Sequence, residues 1–156
     1  MATGIFPGRF DPLHKGHLMV IQGMVKACRS VVIVICSPKG EDGKPMYSVD
    51  KRREMLTAAL LDVDILDVTI ATVSDDPSDE LWAKYVLDAA ENPSDAQIWS
   101  GDESVRALFE KVNVLTKKIV PVPGHVSSEI QEMIKKNDRT WEKKVPNAVA
   151  DVILGR

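Results

Sequence analysis

Two histidines stand three residues apart just after the first apolar run of the chain. His14 and His17 lie in the stretch GRFDPLHKGH, together with the basic residues Arg9 and Lys15. If a helix begins near Gly16, His14 lies just outside that helix and His17 lies in its first turn. Unpaired backbone amides and the positive end of the helix dipole favour an anion there. The spacing and the residue types therefore predict a phosphate-binding site.

The two glycines of this stretch support the same interpretation. Gly8 and Gly16 carry no Cβ, so a phosphate is able to approach the backbone closely. The pattern is neither the G-x-G-x-x-G dinucleotide fingerprint nor a phosphate loop that ends in Gly-Lys-Ser/Thr. Zinc binding through the histidines is the alternative use, but no cysteine and no third histidine lies nearby in the sequence.

Short β-branched runs alternate with longer amphipathic segments along the whole chain. The runs predict strands at 3–7, 30–37, 64–73, 95–100 and 117–123. The amphipathic segments predict helices at 17–30, 50–61, 80–90, 103–112, 127–136 and 145–154. This alternation predicts a Rossmann-like, doubly wound α/β fold with about five parallel strands and helices on both faces. Ligands of such sheets bind beyond the carboxyl ends of the strands, where the histidine turn is expected.

The bulk composition is that of an ordinary globular protein. Its 156 residues predict one domain over 1–156, with the C-terminal helical segment 126–156 as part of it. A net charge of −3 disfavours nucleic-acid binding through phosphate neutralisation. No apolar run approaches the length of a membrane span, and no signal peptide is evident. Cys28 and Cys36 are interpreted as core residues. We therefore expect a cytoplasmic protein with no membrane partner.

A polar loop from Ser37 to Ser48 separates the second strand from the next helix. It contains glycine and proline and is long for this architecture. A lid over a site and an exposed connection without a role are both compatible with this composition.

Six segments of the chain resemble one known family of enzymes. GRFDPLHKGH resembles the HxGH signature of the nucleotidyltransferase superfamily, in the form G-R-F-x-P-x-H-x-G-H that is closest to archaeal-type nicotinamide mononucleotide adenylyltransferases. Five later segments resemble the same family in the same order, namely MYSVDKRREML (46–56), DELWAKYV (79–86), WSGDESVRALF (99–109), VSSEIQEMI (126–134) and WEKKVPNAVADVI (141–153). The likeness therefore covers nearly the whole chain.

The resemblance implies a reaction of NAD biosynthesis. Such enzymes transfer AMP from ATP to nicotinamide mononucleotide and release pyrophosphate. The acceptor phosphate is already ionised, so catalysis consists mainly of alignment and charge stabilisation. The resemblance also implies Mg²⁺ held mainly by substrate phosphates and water rather than by protein ligands. The partners expected are ATP, the phosphorylated acceptor and, in a homo-oligomer, further copies of the chain.

The resemblance also assigns residues. It implies catalytic roles for His14, His17, Arg9 and Arg52. It implies contacts with ATP for Gly8, Arg9, Phe10, His14, His17, Gly101, Asp102, Arg106, Ser127 and Ser128. It implies acceptor binding by Asp79 and Trp82, with the indole stacked on the nicotinamide ring. From the residues alone, a tryptophan on an apolar helix face is more often a core residue than a platform for a ligand.

The chain departs from the family pattern at several positions. Asp11 stands where glutamine is usual, Gln131 replaces an arginine, and Asp79 and Asp102 replace asparagine-like residues. A carboxylate at Asp79 would accept a hydrogen bond from a carboxamide but would repel a nicotinate carboxylate. Two alternatives therefore stay open: transfer to another acceptor such as phosphopantetheine, or from a cytidylyl donor, and a non-catalytic nucleotide sensor. His125 receives no role and is expected at the surface.

Overall fold

The computed structural model describes residues 1–37 and 44–156, so the central part of the Ser37–Ser48 loop lies outside the described residues. Strands and helices alternate in the order β1 (Thr3–Gly8), α1 (Lys15–Ala27), β2 (Ser30–Ser37), α2 (Val49–Asp62), β3 (Val68–Ser74), α3 (Asp79–Ala89), β4 (Ala96–Ser100), α4 (Glu103–Glu110), β5 (Leu115–Lys118), α5 (Ser127–Lys135), a 3-10 helix (Arg139–Lys143) and α6 (Asn147–Leu154). Within the described residues, no helix is both long and apolar enough to cross a membrane.

The five strands form one parallel sheet in the order β3-β2-β1-β4-β5. The direction of winding reverses between β1 and β4, which is the switch point where ligands of open α/β sheets bind. Ile5 of β1 pairs with Val32 on one side and with Ile98 on the other. The predicted Rossmann-like fold with a five-stranded parallel sheet is confirmed.

The chain divides into two compact units. The first contains all five strands with α3 and α4, and comprises Met1–Arg9, Gly23–Lys44 and Asp67–Val120. The second contains α2, α5, the 3-10 helix and α6, and comprises Phe10–Gln22, Pro45–Leu66 and Pro121–Arg156. Helix α1 begins in the second unit and ends in the first. The single domain over 1–156 stays a prediction.

The sheet of the first unit carries helical residues on both of its faces. On one face Ile5, Val34 and Ile98 are fully buried against α3 and α4. Burying a side chain of this size contributes about 1.5–3 kcal/mol. On the other face, a Cβ at Gly4 would lie 2.9 Å from Cε of Met24 in α1 and 2.7 Å from the Sγ atom of Cys28, so only glycine fits there. Both cysteines are buried and free, as their apolar surroundings predict.

Two strand boundaries differ from the sequence-based prediction. The third strand begins at Val68 rather than at residue 64, because Asp64 adopts a left-handed backbone conformation with φ 59°. The fifth strand spans Leu115–Lys118 rather than 117–123. Pro121 and Pro123 have no N–H group to donate to a neighbouring strand, so pairing ends before them.

The second unit is built around α2. Ser48 caps this helix as predicted, since its hydroxyl accepts a hydrogen bond from the Lys51 N–H at 3.1 Å. Helix α6 packs against α2. Met55 and Leu56 of α2 are fully buried, as is Val149 of α6. The buried side of α2 also contains the predicted site residue Arg52.

Candidate active site

His14 and His17 stack on each other at the start of α1. Their ring centroids lie 3.6 Å apart and their planes differ by 13°. The N–H of His14 donates to Nδ1 of His17, and the N–H of His17 donates to Nδ1 of His14, both at 3.1 Å. This reciprocal pattern is that of a capping box, in which the N-cap residue and the third helical residue satisfy each other's amides. The spacing of the histidines therefore matches the start of the helix.

These two hydrogen bonds determine the tautomer of both rings. Because each Nδ1 accepts, a neutral imidazole carries its proton on Nε2. Burial, followed by the charge of His125, lowers the pKa of His14 to about 4. Burial, followed by the charge of His14, holds the pKa of His17 well below its usual value. At neutral pH both rings are therefore neutral and carry their protons on Nε2.

Gly16 is required by the histidine ring before it. A Cβ at this position would lie 2.9 Å from Cε1 and 3.0 Å from Nδ1 of His14. The expectation that Gly16 serves the approach of a phosphate therefore misses its first role, which is to make room for the imidazole. The N–H groups of His14 and His17 are paired with the histidine rings, and the Lys15 N–H donates to the Lys144 carbonyl at 2.9 Å. The expectation of unpaired amides is therefore wrong for these three groups.

Phe10 and His125 lie on either side of the histidine pair. Phe10 is almost fully buried, with φ 53°, and meets the His17 ring edge-on at 4.9 Å between centroids. The His125 ring lies 6.1 Å from that of His14. Its Nδ1 atom is 3.2 Å from the Pro123 carbonyl oxygen. Sequence reasoning missed His125, since only the folded Pro121–Val126 segment brings it to this turn.

Asp11 is a buried carboxylate with several donors around it. Its oxygens accept hydrogen bonds from the Met46 N–H at 2.7 Å and the Tyr47 N–H at 2.9 Å. Gln131 Nε2 donates to Oδ2 of Asp11 at 3.2 Å and to its backbone oxygen at 2.5 Å. Such donors offset the desolvation of a buried charge. Two departures from the family pattern, Asp11 and Gln131, therefore meet in one cluster.

Arg52 lies on the buried side of α2 and has no solvent exposure. Its Nε donates to the Tyr47 carbonyl oxygen at 3.0 Å. The guanidinium is thus held by the same residue whose N–H binds Asp11. The contact of Arg52 with a phosphate stays a prediction.

Ser127 and Ser128 open α5 as predicted. Val126 at the N-cap provides no side-chain cap for the first turn. The Ser127 hydroxyl donates to the Pro12 carbonyl oxygen at 3.2 Å, which joins α5 to the histidine turn. Lys135, four residues beyond Gln131 on α5, is exposed, and its Nζ lies 3.8 Å from Oε1 of Glu132. Phosphate binding by the two serines stays a prediction.

A cavity of about 500 Å³ lies in the first unit, at the carboxyl ends of β1, β2 and β4. It is of the size that small-molecule ligands occupy. Its lining brings together five predicted site residues, Gly8, Arg9, Asp79, Trp82 and Asp102. Gly101 and Arg106 do not line it. A Cβ at Gly101 would lie 3.3 Å from the Ile119 carbonyl oxygen, and Arg106 donates to the Ser100 carbonyl at 2.9 Å.

The cavity is acidic, and one of its carboxylates has an open acceptor. Arg9 Nη2 lies 3.2 Å from Oδ2 of Asp75. The other oxygen, Oδ1, is buried and has no hydrogen-bond partner in the described part of the chain. A buried acceptor without a donor is destabilising, so it favours a ligand that supplies one. The sequence reasoning missed Asp75, which follows β3 directly and so belongs to the same sheet edge.

Asp79 and Trp82 enter the cavity from α3. Ser78 caps this helix by accepting from the Leu81 N–H at 3.3 Å, so the carboxylate of Asp79 is not needed as the cap. Trp82 is half-buried and meets the Phe109 ring edge-on, with centroids 5.8 Å apart. Trp82 therefore packs on the core and also lines the cavity. Stacking of its indole on a nicotinamide ring stays a prediction.

Asp102, by contrast, caps its own helix. The carboxylate accepts from the Ser104 hydroxyl at 2.6 Å and from the Ser104 N–H at 2.9 Å. These hydrogen bonds lower the pKa of Asp102 below its usual value. Among the residues that the structure describes, no three His, Cys, Asp or Glu side chains are placed to hold a metal ion.

Comparison with known proteins defines the class. The family model described as cytidylyltransferase-like matches residues 5–140. The chain therefore belongs to the cytidylyltransferase-like family, and it is a nucleotidyltransferase. Its relatives include the nicotinamide-nucleotide adenylyltransferase of Caldivirga maquilingensis, 31% identical over 98% of this chain and 88% of that protein. That of Ignicoccus hospitalis is 30% identical over 96% and 89%. The predicted family of nicotinamide-nucleotide adenylyltransferases is confirmed.

Solved structures agree on the fold. A bifunctional NMN adenylyltransferase/ADP ribose pyrophosphatase from Francisella tularensis, complexed with AMP and a Mn ion, is 23% identical with a TM-score of 0.71. The match covers 87% of this chain and 42% of that one. NadR in complex with NAD and AMP-PNP is 19% identical with a TM-score of 0.63, over 90% and 43%. The chain thus spans less than half the length of these structures.

Proposed function

We propose that the protein transfers AMP from ATP to nicotinamide mononucleotide, forming NAD and pyrophosphate. A phosphate oxygen of the acceptor attacks the α-phosphorus of ATP, and the bond from that phosphorus to the β-phosphate oxygen breaks. The observation that carries this proposal is the reciprocally capped histidine pair, whose Nε2–H groups are fixed as donors. Fixed donors stabilise the charge that develops on the leaving pyrophosphate without reorganisation.

The other predicted residues complete the proposal for ATP. Arg9 and Arg52 supply positive charge, and the backbone near Gly8 and Phe10 approaches the nucleotide. Gly101, Asp102 and Arg106 bind the adenosine, and Ser127 and Ser128 bind the β- and γ-phosphates. A divalent cation, which we propose to be Mg²⁺, neutralises charge on the phosphates and is held by them and by water.

The acidic cavity supports the choice of acceptor. Trp82 offers a face on which a nicotinamide ring stacks. Asp75 Oδ1 and the carboxylate of Asp79 offer acceptors for the NH₂ group of a carboxamide. The same carboxylates repel the carboxylate of a nicotinate ring. We therefore propose that the amide nucleotide is preferred over the acid.

One assay tests the reaction and its alternatives. The purified protein is incubated with ATP, Mg²⁺ and one acceptor at a time, either nicotinamide mononucleotide, nicotinate mononucleotide or phosphopantetheine, and dinucleotide and pyrophosphate are followed. We expect the fastest release with nicotinamide mononucleotide. Faster release with phosphopantetheine, or with CTP as donor, would support the alternative transferase. Binding of ATP without turnover of any acceptor would support a sensor.

The assembly state and the cation need separate measurements. We propose a cytoplasmic homo-oligomer. Light scattering on the protein as it elutes from a size-exclusion column measures the mass of the assembly and so tests the oligomeric state. Chelation of divalent ions is expected to abolish turnover, and added Mg²⁺ is expected to restore it. Full activity in excess chelator would contradict the proposed cation.

A further inference from the structure

The cluster around Asp11 points to a role for Gln131. The NH₂ group of Gln131 makes two contacts, with the backbone oxygen and with Oδ2 of Asp11. The reverse placement of the amide would set its oxygen against two other oxygens, so the hydrogen-bond network determines the orientation. Both contacts of this donor group are therefore made within the protein. The remaining polar atom, Oε1, is an acceptor and does not attract phosphate.

Asp11 in turn holds the segment that leads into α2. Its carboxylate is 4% exposed and accepts from two successive N–H groups, those of Met46 and Tyr47. The carbonyl of Tyr47 accepts from Nε of the buried Arg52. A chain of hydrogen bonds thus runs from α5 through the Asp11 turn to the arginine of α2.

We propose that Gln131 is a positioning residue, which orients Asp11 and through it Tyr47 and Arg52, and that it is not a ligand of the substrate phosphates. The effect on turnover rests on the proposed function. The effect on the backbone near Met46 and Tyr47 does not, so the two are measured separately.

Amide hydrogen exchange tests the contact directly. Gln131→Ala removes the NH₂ group that makes both contacts with Asp11. We therefore expect hydrogen exchange at the Met46 and Tyr47 amides to accelerate about tenfold, as for the loss of hydrogen bonds to a charged group. Amides of β2 should keep their rates. Glu132→Gln, an exposed change on the same helix, is the matched control and should leave all of these rates unchanged. Unchanged exchange in Gln131→Ala would overturn the proposal.

Kinetics and anion binding separate positioning from direct contact. If Gln131 positions Arg52 for the charge that develops in the transition state, Gln131→Ala lowers kcat about tenfold while KM for ATP changes less than about threefold. Binding of inorganic tripolyphosphate then stays within the same threefold limit. If Gln131 is a phosphate ligand, KM for ATP and the dissociation constant of tripolyphosphate rise together, which would overturn the proposal. The tripolyphosphate measurement decides this even if no acceptor is turned over.

A double-variant cycle tests the pairing of the two side chains. Gln131→Glu sets a carboxylate against Asp11 and should impair Tyr47 protection more than Gln131→Ala does. Adding Asp11→Asn returns a donor to the pair, so the double variant should recover protection relative to Gln131→Glu alone. Asp11→Asn alone completes the cycle. If the effects of Gln131→Glu and Asp11→Asn simply added in the double variant, a direct contact between residues 11 and 131 would be contradicted. Thermal unfolding of each variant identifies any that fail to fold.

Discussion

The histidine turn and the acidic cavity treat their polar groups in opposite ways. In the turn, His14 and His17 satisfy each other's amides, and their Nδ1 atoms are occupied. In the cavity, Asp75 keeps a buried oxygen for which the described part of the chain offers no donor. The turn is therefore arranged to donate hydrogen bonds, and the cavity is arranged to accept them.

This difference separates reaction from selectivity. Donors suit phosphate oxygens, which every nucleotide substrate of this family carries. Hydrogen-bond acceptors suit the substituent on the ring of the acceptor nucleotide, which is where the amide and the acid substrates differ. We therefore expect changes at His14 and His17 to lower turnover with all acceptors, and changes at Asp75 and Asp79 to alter which acceptor is used.

The largest effect is expected at His17. His17→Ala should lower kcat at least about 100-fold, the typical loss for a donor that stabilises developing charge. His17→Asn is the matched control, because its side-chain oxygen is able to replace Nδ1 in the cap but not the Nε2 donor. Both variants should lose kcat to this extent, whereas only His17→Ala should lose helix capping and unfold at lower temperature. Near-normal turnover in either variant would refute the assigned donor.

Acid should destabilise the protein through the same turn. The pKa of His14 is about 4 in the folded chain, against 6.5 for an ordinary histidine. Between these values the unfolded chain binds more protons, so stability falls as pH falls through that window. The shift corresponds to roughly 3 kcal/mol at its acid limit. Urea unfolding of the wild type and of His14→Asn, which does not titrate, should diverge below about pH 6.5. Parallel curves would contradict the shifted pKa.

A smaller effect is expected at Gly16. Gly16→Ala places a Cβ within 2.9 Å of the His14 ring and must displace it, which we expect to cost about 1–3 kcal/mol and about tenfold in turnover. Gly23→Ala in the same helix is the control, since nothing lies within 4 Å of its Cβ. There the substitution should stabilise the helix by up to about 1 kcal/mol. Equal effects of the two substitutions would show that the crowding at Gly16 is unimportant.

The sequence predicted what depends on short-range pattern. The period of apolar residues placed the strands, and the three-residue spacing of His14 and His17 placed both at the start of α1. What it missed depends on pairs that are distant along the chain. Asp11 and Gln131 are 120 positions apart, and Arg9 and Asp75 are 66 apart. No local pattern encodes such contacts. The lowered pKa values of His14 and His17 were not predicted for the same reason, since the burial of these side chains depends on the folded surroundings.

The smallest effect is expected in the cavity, and it is a change of preference. Asp79→Asn removes a negative charge that would face the ring substituent, so kcat/KM for nicotinate mononucleotide should rise about three- to tenfold relative to the amide. Glu80→Gln removes the same charge from an exposed neighbour on α3 that does not line the cavity, and it should leave the ratio unchanged. Turnover with nicotinamide mononucleotide should fall only slightly, because the histidine donors are untouched. If Asp79→Asn instead lowered both acceptors equally, the cavity would contribute to the reaction rather than to selectivity, and the division between the two regions would fail.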